Sequence, residues 1–348
     1  MNHHTHRRLG LTVGVLAALV AAACGGDDGG GSASDGAAAR GATTCDEVDL
    51  TTPPDQPVTI RMGHGPSTED PLYVQFLDPE VAGAQYYGDW YTIEATQFEP
   101  PDRLAAYQAG DLDAGTISTP QLLTAAGSDI PIVAVASIAV VSEGGFAFPY
   151  LALDDSGIDS IEDLDGRSIG IIAPNTATEY WALSAVARAG LDPQRDVELV
   201  SVPPPSAEQT LRGGQVDVAM MTEAFAGPAE QAGGVHEVFD ALTGPGFDHE
   251  LLDVFFAPDF IADNPEAFCA WRADYQAAMA SFLDDPTATG EVLIDNDYDA
   301  APDAEAYAAR PQPGREAEGR IDLANVDRLI DDMKATGFLP EDLPVTAD

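Results

Sequence analysis

The chain has 348 residues, of which 45% are hydrophobic and 21% are charged; this composition supports about two folded domains and excludes a disordered protein. Acidic residues number 59 against 15 basic ones, which gives a formal net charge of −44. Because nucleic acid is itself polyanionic, we exclude nucleic acid as a partner. The acidity instead predicts a solvated surface suited to high salt, and it does not identify a ligand.

The amino terminus predicts a targeting segment rather than part of the fold. Arg7 and Arg8 precede an apolar run at residues 9–22, and small residues then lead to Cys24. That run is too short to cross a bilayer as a helix. The pattern resembles the lipobox of bacterial lipoproteins, which implies a signal peptide at residues 1–24, a lipidated Cys24 and an extracytoplasmic chain anchored to the cell membrane by that lipid. A plain secretory signal is the alternative.

The next segment predicts a flexible tether at residues 25–57, because it is rich in small and polar residues and lacks apolar periodicity. Two cysteines remain beyond Cys24, namely Cys45 and Cys269. In an oxidising compartment such a pair is more often bridged than free, so we predict a disulfide between them. Two free thiols are the alternative.

Strand and helix patterns alternate from residue 58 onward. Predicted strands occupy residues 58–62, 91–96, 113–118 and 132–141, and predicted helices lie near residues 73–77, at residues 101–109 and from residue 119. In the last of these helices, Thr119 is predicted to cap and Pro120 to occupy the first turn. This β-α-β-α-β order is typical of a parallel sheet with helices on its faces.

A second strand–loop–helix unit lies between Ser160 and Gly190. Ser160 and Asp163 predict a helical cap, residues 168–173 predict a buried strand, and the helix that follows Thr176 ends before Gly190. Because the helix begins just beyond a strand, its free N–H groups and dipole favour an anionic or acceptor-rich group, so we expect a small ligand there. Further predicted strands occupy residues 197–202, 216–221 and 235–239. Residues 251–257 are then expected to cross back to the first domain, before predicted helices at residues 265–283 and 323–333.

The same short device occurs twice, at residues 108–115 and at residues 212–219. Each copy contains a helix end, a glycine turn, an aspartate within a short strand, and then a polar loop that leads into a helix. Two domains of similar plan that direct such loops at each other predict a cleft between them.

Taken together, these features resemble the substrate-binding proteins of bacterial ABC importers, most closely the NMT1/TauA-like branch that serves nitrate, alkanesulfonates, taurine and thiamine-pyrimidine precursors. The resemblance is carried by the lipoprotein signal, by residues 161–167 and 190–193, and by the repeated units that begin at Gly110 and Gly214. It implies a type II periplasmic-binding-protein fold of the α/β class, with two α/β lobes joined by two crossovers around a central cleft. Lobe I is then expected at residues 58–148 plus 255–348, and lobe II at residues 149–254.

The resemblance also implies a ligand site on four loops. The expected ligand-binding residues are Gly63, His64, Ser67, Ser118, Thr119, Asn175, Thr176, Thr178, Thr222, Glu223 and Phe225. Thr222 and Ala224 depart from the Trp-Glu-Pro-like turn that the family often has around this glutamate. No lysine or arginine lies in these loops, so an anionic ligand is expected to depend on backbone N–H groups and hydroxyls, whereas Glu223 can meet an amine or a ring N–H.

Several of these residues also have a purely structural interpretation. Thr176 and Thr178 can serve as helix caps, and the aromatic rings of Tyr73, Trp181 and Phe225 can pack in the core instead of stacking on a ligand ring. Residues 295–299 begin like a calcium loop, but Ala300 and Ala306 replace the turn glycine and the bidentate glutamate of such loops, so we interpret them as an acidic loop and predict no metal.

The function implied by the resemblance is capture of a small polar organic solute by lobe closure and its delivery to an ABC permease and ATPase complex. The solute would be a sulfonate such as taurine, a nitrate-like anion, or a pyrimidine or amine, bound by a monomer with no cofactor and no catalytic residue. One alternative is an enzyme like the thiamine-pyrimidine synthases, which share the fold and use a lysine, but Lys334 is the only lysine and lies far from the loops. The other is a lipoprotein that senses a ligand without transport.

Overall fold

The computed structural model describes residues 45–347, so the predicted signal peptide with Cys24 and residues 25–44 of the predicted tether lie outside the described residues. Ten strands form within residues 45–347: β1 (Val58–His64), β2 (Tyr91–Gln97), β3 (Ala114–Ser118), β4 (Val133–Val141), β5 (Tyr150–Leu153), β6 (Arg167–Ile171), β7 (Val197–Ser201), β8 (Val218–Met220), β9 (Val235–Phe239) and β10 (His249–Phe256). The same residues form eleven α-helices: α1 (Asp70–Leu77), α2 (Pro100–Gln108), α3 (Thr119–Ala126), α4 (Ala177–Arg188), α5 (Ala207–Arg212), α6 (Glu223–Ala232), α7 (Pro258–Asp263), α8 (Pro265–Asp284), α9 (Pro286–Asp295), α10 (Ala304–Ala308) and α11 (Leu323–Ala335).

The strands form two five-stranded sheets, in the orders β2-β1-β3-β10-β4 and β7-β6-β8-β5-β9. β1, β2 and β3 are parallel in one sheet, and β6, β7 and β8 are parallel in the other. In each sheet the strand that follows a crossover, β10 or β5, is antiparallel to its neighbours. The predicted α/β fold with two lobes and two crossovers is therefore confirmed. We call the first sheet with α1–α3 and α7–α11 the first lobe, and the second sheet with α4–α6 the second lobe.

The return crossover lies earlier in the chain than the sequence predicts. β10 begins at His249, which pairs with Val141 of β4, so residues 249–254 belong to the first lobe and the boundary expected at residue 255 is wrong. The start of the strand is hard to recognise because His249 and Glu250 are polar, yet both are buried with partners. Trp181 Nε1 donates to His249 Nε2 at 2.8 Å, and Ser137 Oγ donates to Glu250 at 2.8 Å.

The last part of the predicted tether is folded against the first lobe. Cys45–Glu47 form a short 3₁₀-helix, and Cys45 forms a disulfide with Cys269 of α8, the pairing that the cysteine count favours. Val48 and Leu50 pack partly buried against the hydrophobic core. The prediction of a flexible tether up to residue 57 is therefore wrong for residues 45–50, because the bridge and two apolar side chains attach them.

The strand–loop–helix unit of the second lobe folds as its sequence predicts. Asp163 accepts the backbone N–H of Ser160 at 3.0 Å, which completes the predicted cap of the short helix before β6. α4 ends at Arg188, and Gly190 has a φ of 86°, a left-handed conformation that favours glycine after a helix. As a result, α4 begins just beyond the carboxyl end of the central parallel strand of its lobe.

Candidate functional site

A cavity of about 100 Å³ lies between the two lobes, at the carboxyl ends of three parallel strands from each sheet. The first lobe contributes residues that follow β1, β2 and β3 together with two leucines of β10: Gly65, Pro66, Ser67, Thr68, Glu69, Glu99, Pro100, Arg103, Ser118, Gln121, Leu251 and Leu252. The second lobe contributes Phe148 before β5 and residues that follow β6, β7 and β8: Ile172, Thr176, Ala177, Thr178, Trp181, Pro204, Met220 and Thr222. Ligands of open parallel sheets bind at this edge of the strands.

Five helices begin at the cavity wall, because each follows one of these strands directly or after a short loop. They are α1, α2, α3, α4 and α6, and none of them has a side-chain cap on its first N–H groups. By contrast, an aspartate caps each of the distant helices α9, α10 and α11. Uncapped helices also occur away from the cavity, so it is the convergence of five N-termini that distinguishes this place. Their dipoles favour an anionic or acceptor-rich guest.

The two lobes meet at the cavity through a direct hydrogen bond. The backbone N–H of Ala177, in the first turn of α4, donates to Ser118 Oγ at 3.3 Å, and Ser118 precedes the first turn of α3. The N-termini of these two helices therefore lie together, one from each lobe. The contact fixes the spacing of the lobes where a ligand would sit.

Thr176 and Thr178 line the cavity, but their hydroxyls are also used within their own loop. Thr176 Oγ1 lies 2.7 Å from the Ala173 carbonyl oxygen, and the two threonine oxygens lie 2.9 Å apart. Thr178 Oγ1 also accepts the backbone N–H of Ile172 at 3.0 Å. The hydroxyl hydrogens are thus committed to the loop, and a ligand meets mainly the oxygen lone pairs and the free N–H groups of the first turn.

Five of the eleven predicted site residues line the cavity: Ser67, Ser118, Thr176, Thr178 and Thr222. Thr222 is 3% exposed, and its Oγ1 has no hydrogen-bond partner. The structure therefore brings residues of all four predicted loops together. An unpartnered buried hydroxyl at the wall is a position that a ligand atom can satisfy.

The other predicted residues do not line the cavity. His64 is buried among the rings of Tyr73, Phe76 and Tyr298, and burial lowers its pKa. Asn175 is exposed, and its backbone N–H donates to Glu179. Gly63, Thr119, Glu223 and Phe225 also lie outside the cavity lining: Gly63 is in β1, and the other three are in the first turns of α3 and α6.

Thr119 lies inside α3 rather than at its cap, which is the position of Ser118. Its hydroxyl donates to Asp253 Oδ2 of β10 at 2.8 Å, and Asp253 is fully buried. Burial, together with the nearby charge of Glu250, raises the pKa of Asp253 well above its ordinary value. Thr119 therefore fastens α3 to the sheet and does not face the cavity.

Glu223 is buried in the first turn of α6 and faces the opposite lobe. Burial, and then the charge of Asp70, raises its pKa, and its Oε2 has no hydrogen-bond partner. Asp70 lies in the first lobe and forms an ion pair with Arg315 at 2.9 Å. The carboxyl of Glu223 thus stands at the contact between lobes instead of in the cavity lining.

Arg103 is not among the predicted site residues, yet it is the one basic side chain that the described residues contribute to the cavity wall. The guanidinium comes from the second turn of α2 and is 3% exposed, and the expectation of a site without basic residues covered only the loops. Burial lowers the pKa of Arg103, against the opposing charge of Glu69. An arginine near the start of the helix that follows β2, in a chain with only 15 basic residues, marks Arg103 as a candidate, but the sequence does not show that its side chain reaches the cavity.

Trp181, Phe148 and Gln121 also line the cavity without having been assigned to it. Trp181 is 1% exposed and lies against Phe148, with ring centroids 5.4 Å apart. Trp181 therefore packs in the core, as its structural interpretation predicts, and also forms part of the cavity wall. Tyr73, by comparison, is a core residue whose hydroxyl donates to the Gly65 carbonyl.

The described residues provide neither a metal site nor a membrane-spanning helix. Among residues 45–347, no group of three or more histidine, cysteine, aspartate or glutamate side chains is arranged to hold a metal ion. Over the same part of the chain, no helix combines the length and apolar character that crossing a membrane requires.

Comparison with known proteins gives one family and a set of similar folds. The profile of a family described as NMT1/THI5 like matches residues 93–289. No curated protein sequence matches the chain. The structure is similar to the alkanesulfonate-binding protein SsuA from Xanthomonas axonopodis pv. citri bound to MOPS, at 17% identity over 84% of this chain and 98% of that one, with a TM-score of 0.63.

Two further solved structures share the fold. The periplasmic aliphatic sulphonate binding protein SsuA from Escherichia coli is 18% identical over 82% of this chain and 90% of its own, with a TM-score of 0.58. The zinc-bound ligand-binding component of an ABC-type import system from Staphylococcus aureus is 13% identical over 81% of this chain and 93% of its own, with a TM-score of 0.64. At these identities the similarity shows the fold.

Proposed function

The chain belongs to the NMT1/THI5-like family, and from that premise we propose that it is an extracytoplasmic solute-binding lipoprotein that captures a small polar organic solute and delivers it to an ABC permease and ATPase complex. The observation that carries the proposal is the cavity where strand ends from both lobes converge. Two lobes around one cavity are the arrangement in which hinge closure encloses a ligand.

The size of the cavity and its lining support a small solute. A cavity of about 100 Å³ accommodates several water-sized groups, since one such group needs roughly 10–15 Å³. Leucine, phenylalanine and tryptophan side chains form much of the wall, and the helix N-termini provide the polar contacts. Two of the structurally similar proteins are described as sulfonate-binding, so sulfonates and taurine are the first candidates, followed by nitrate-like anions and by pyrimidines or amines.

The lining supports binding rather than catalysis. Within the described residues, neither a lysine nor a histidine contributes to the cavity wall. Lys334 lies on α11, and His64 lies in its aromatic cluster. The lysine-dependent chemistry of a thiamine-pyrimidine synthase therefore has no group at the cavity to perform it.

We also propose a location at the membrane surface and a monomeric state. A lipid on Cys24 would hold the protein at the outer side of the membrane, and the segment between Cys24 and Cys45 would space the lobes from the bilayer. We propose that the protein acts there as a monomer. A sensing role without transport uses the same capture step, and it differs only in the absence of a permease and ATPase that the protein stimulates.

Thermal-shift measurements with matched variants test the capture step. We expect at least one class among sulfonates, nitrate, amines and pyrimidines to raise the unfolding midpoint of the purified protein, because a ligand that binds only the folded state stabilises it. Ser67→Trp should abolish that shift, since Ser67 is a half-buried loop residue that lines the cavity. Ser128→Trp, the same change on an exposed loop outside the cavity lining, should keep it.

If Ser67→Trp binds as well as Ser128→Trp, the cavity is not the binding site. If no class of solute shifts the midpoint of the parent protein, the proposed capture is wrong.

A further inference from the structure

Arg103 presents an unused charged donor to the cavity. Its side chain is 3% exposed, it lines the wall, and its Nη1 has no hydrogen-bond partner. The nearest opposite charge is Glu69, whose Oε1 lies 3.5 Å from that nitrogen. A buried charged donor without an acceptor is unfavourable, so a ligand that supplies an acceptor to this guanidinium is favoured.

Glu69 forms an ion pair with Arg103 but no hydrogen bond to Nη1, and its oxygens accept other donors. The backbone N–H of Gly65 lies 3.0 Å and 3.1 Å from its two oxygens, and Thr116 Oγ1 donates to it at 2.6 Å. These bonds hold the carboxylate beside the guanidinium and fix its position. The pair therefore lowers the net charge at the wall without occupying the free N–H of Arg103.

Two glycines make room for this pair beside β1. A methyl group at Gly63 would lie 3.0 Å from Arg103 Cγ and 2.6 Å from a carbon of Leu112, and one at Gly65 would lie 2.8 Å from Glu69 Oε1 and 3.2 Å from Arg103 Nη1. Alanine at either position would displace the pair. Gly63, which the sequence places in the ligand site, thus contributes by the absence of a side chain that lets Arg103 reach the wall.

We propose that Arg103 is the residue that selects the ligand by charge: its guanidinium binds an anionic oxygen group of the solute, such as a sulfonate or carboxylate, and Glu69 weakens that attraction. This inference rests on the proposed solute capture and deepens it. The five converging helix N-termini favour the same sign of charge at the same wall. The ligand class is therefore a small organic anion, or a zwitterion that directs its acidic end toward α2.

Isothermal titration calorimetry with four small probes tests the selection. The probes are ethanesulfonate, propionate, the uncharged ethyl methyl sulfone, and propylamine. We expect the protein to bind at least one of the two anions at least about 10-fold more tightly than the sulfone and the amine. Arg103→Gln should lower the anion affinity roughly 10- to 100-fold, the usual range for loss of a charged hydrogen bond, and should leave the sulfone affinity unchanged.

Glu69→Gln separates selection from a structural role of the pair. Removal of the carboxylate should raise anion affinity by roughly 10-fold, because it no longer repels the ligand, and should leave the sulfone affinity as it was. A pair that served only to hold the fold would weaken all four probes together in both variants. Arg61→Gln, which removes the same charge from an arginine paired with Asp113 outside the cavity, is the matched control and should change none of the affinities.

The double variant Glu69→Gln/Arg103→Gln leaves no buried unpaired charge, so it tests the inference even if Arg103→Gln alone does not fold. Its preference for the anions over the sulfone should be at least about 10-fold smaller than in the parent, because only the contribution of the helix N-termini remains. A preference for propylamine in the parent protein, or an undiminished preference for anions in the double variant, would overturn the role of Arg103 and leave solute capture intact. If none of the probes and none of the solutes of the thermal-shift screen binds, capture and selection fall together.

Discussion

His249 links the wall of the cavity to the sheet of the first lobe. Its Nε2 accepts the indole N–H of Trp181, so its proton lies on Nδ1, which donates to the Phe247 carbonyl at 2.9 Å. The ring is fully buried, and burial lowers its pKa to about 4. A proton on Nε2 would remove the acceptor on which Trp181 depends.

The free energy of unfolding should therefore include a contribution from neutral His249 that is fully present above pH 6.5 and is lost progressively as the pH falls toward 4. This sign follows because the unfolded chain, with a histidine pKa near 6.5, takes up the proton before the folded protein does. Between pH 7.5 and pH 5 the loss is about 2 kcal/mol for a folded pKa of about 4. Urea unfolding of the parent and of His249→Gln at both pH values measures it.

The difference between the two proteins isolates this histidine, because buried carboxyls with raised pKa values, such as Asp253 and Glu223, act with the opposite sign in both. His249→Gln should lose about 2 kcal/mol less than the parent. An equal loss in the two proteins would contradict the assignment of a neutral, buried His249.

The elements that were predicted correctly are those whose own residues determine them. β1, β2, β6 and α4 follow from apolar runs, glycine turns and the cap at Ser160. The helix predicted after the polar loop that follows β8 has no predicted bounds, because α6 is a ten-residue helix with Gly227 and Pro228 in its interior. Intrinsic propensity opposes a helix there, and packing of Ala226 and Ala229 into the core of the second lobe outweighs it.

The candidate site also has one part that the sequence predicts and one part that it does not. Loops that follow strands are readable from the sequence, and residues from all four predicted loops meet at the cavity. The contribution of Arg103 is not readable, since it depends on Gly63 and Gly65 leaving space for a side chain from the next helix. The resemblance to the ABC substrate-binding proteins implies which loops converge, but it does not identify which side chains of neighbouring elements reach the same wall.

The disulfide attaches the first described residues to α8. Its two cysteines are separated by 224 residues, so reduction frees a very long loop in the unfolded chain. Cys45→Ser/Cys269→Ser should lower the free energy of unfolding by about 2–5 kcal/mol, the usual range for loss of a native disulfide. Urea unfolding of the double variant and of the parent, both without reductant, measures the change.

Ligand affinity should not change in that variant, because neither cysteine lines the cavity. Addition of reductant should destabilise the parent to the level of the double variant and leave the variant itself unaffected. A variant as stable as the parent would mean that the bridge does not contribute to the native state under these conditions.

At the scale of the whole molecule, the net charge of −44 opposes folding through repulsion among surface carboxylates. Raising NaCl from 0.1 M to 1 M shortens the Debye length from about 10 Å to about 3 Å. The unfolding midpoint should rise by at least about 1.5 °C, the shift that corresponds to roughly 1 kcal/mol for a protein of this size. Differential scanning calorimetry at several salt concentrations tests this.

A matched KCl series should give the same curve, because screening depends on ionic strength and not on the identity of the cation. A midpoint that falls with salt, or that responds to only one of the two cations, would show that screening of the acidic surface is not the dominant effect.

The position of β10 has a consequence for the order in which the protein can be completed. This strand lies between β3 and β4 in its sheet, yet it is synthesised after every strand of the second lobe. β3 and β4 have no direct pairing, so the first lobe cannot complete its sheet until β10 has been synthesised. The second lobe is contiguous in sequence and can fold first. The sheet of the first lobe stays incomplete until β10 inserts between β3 and β4.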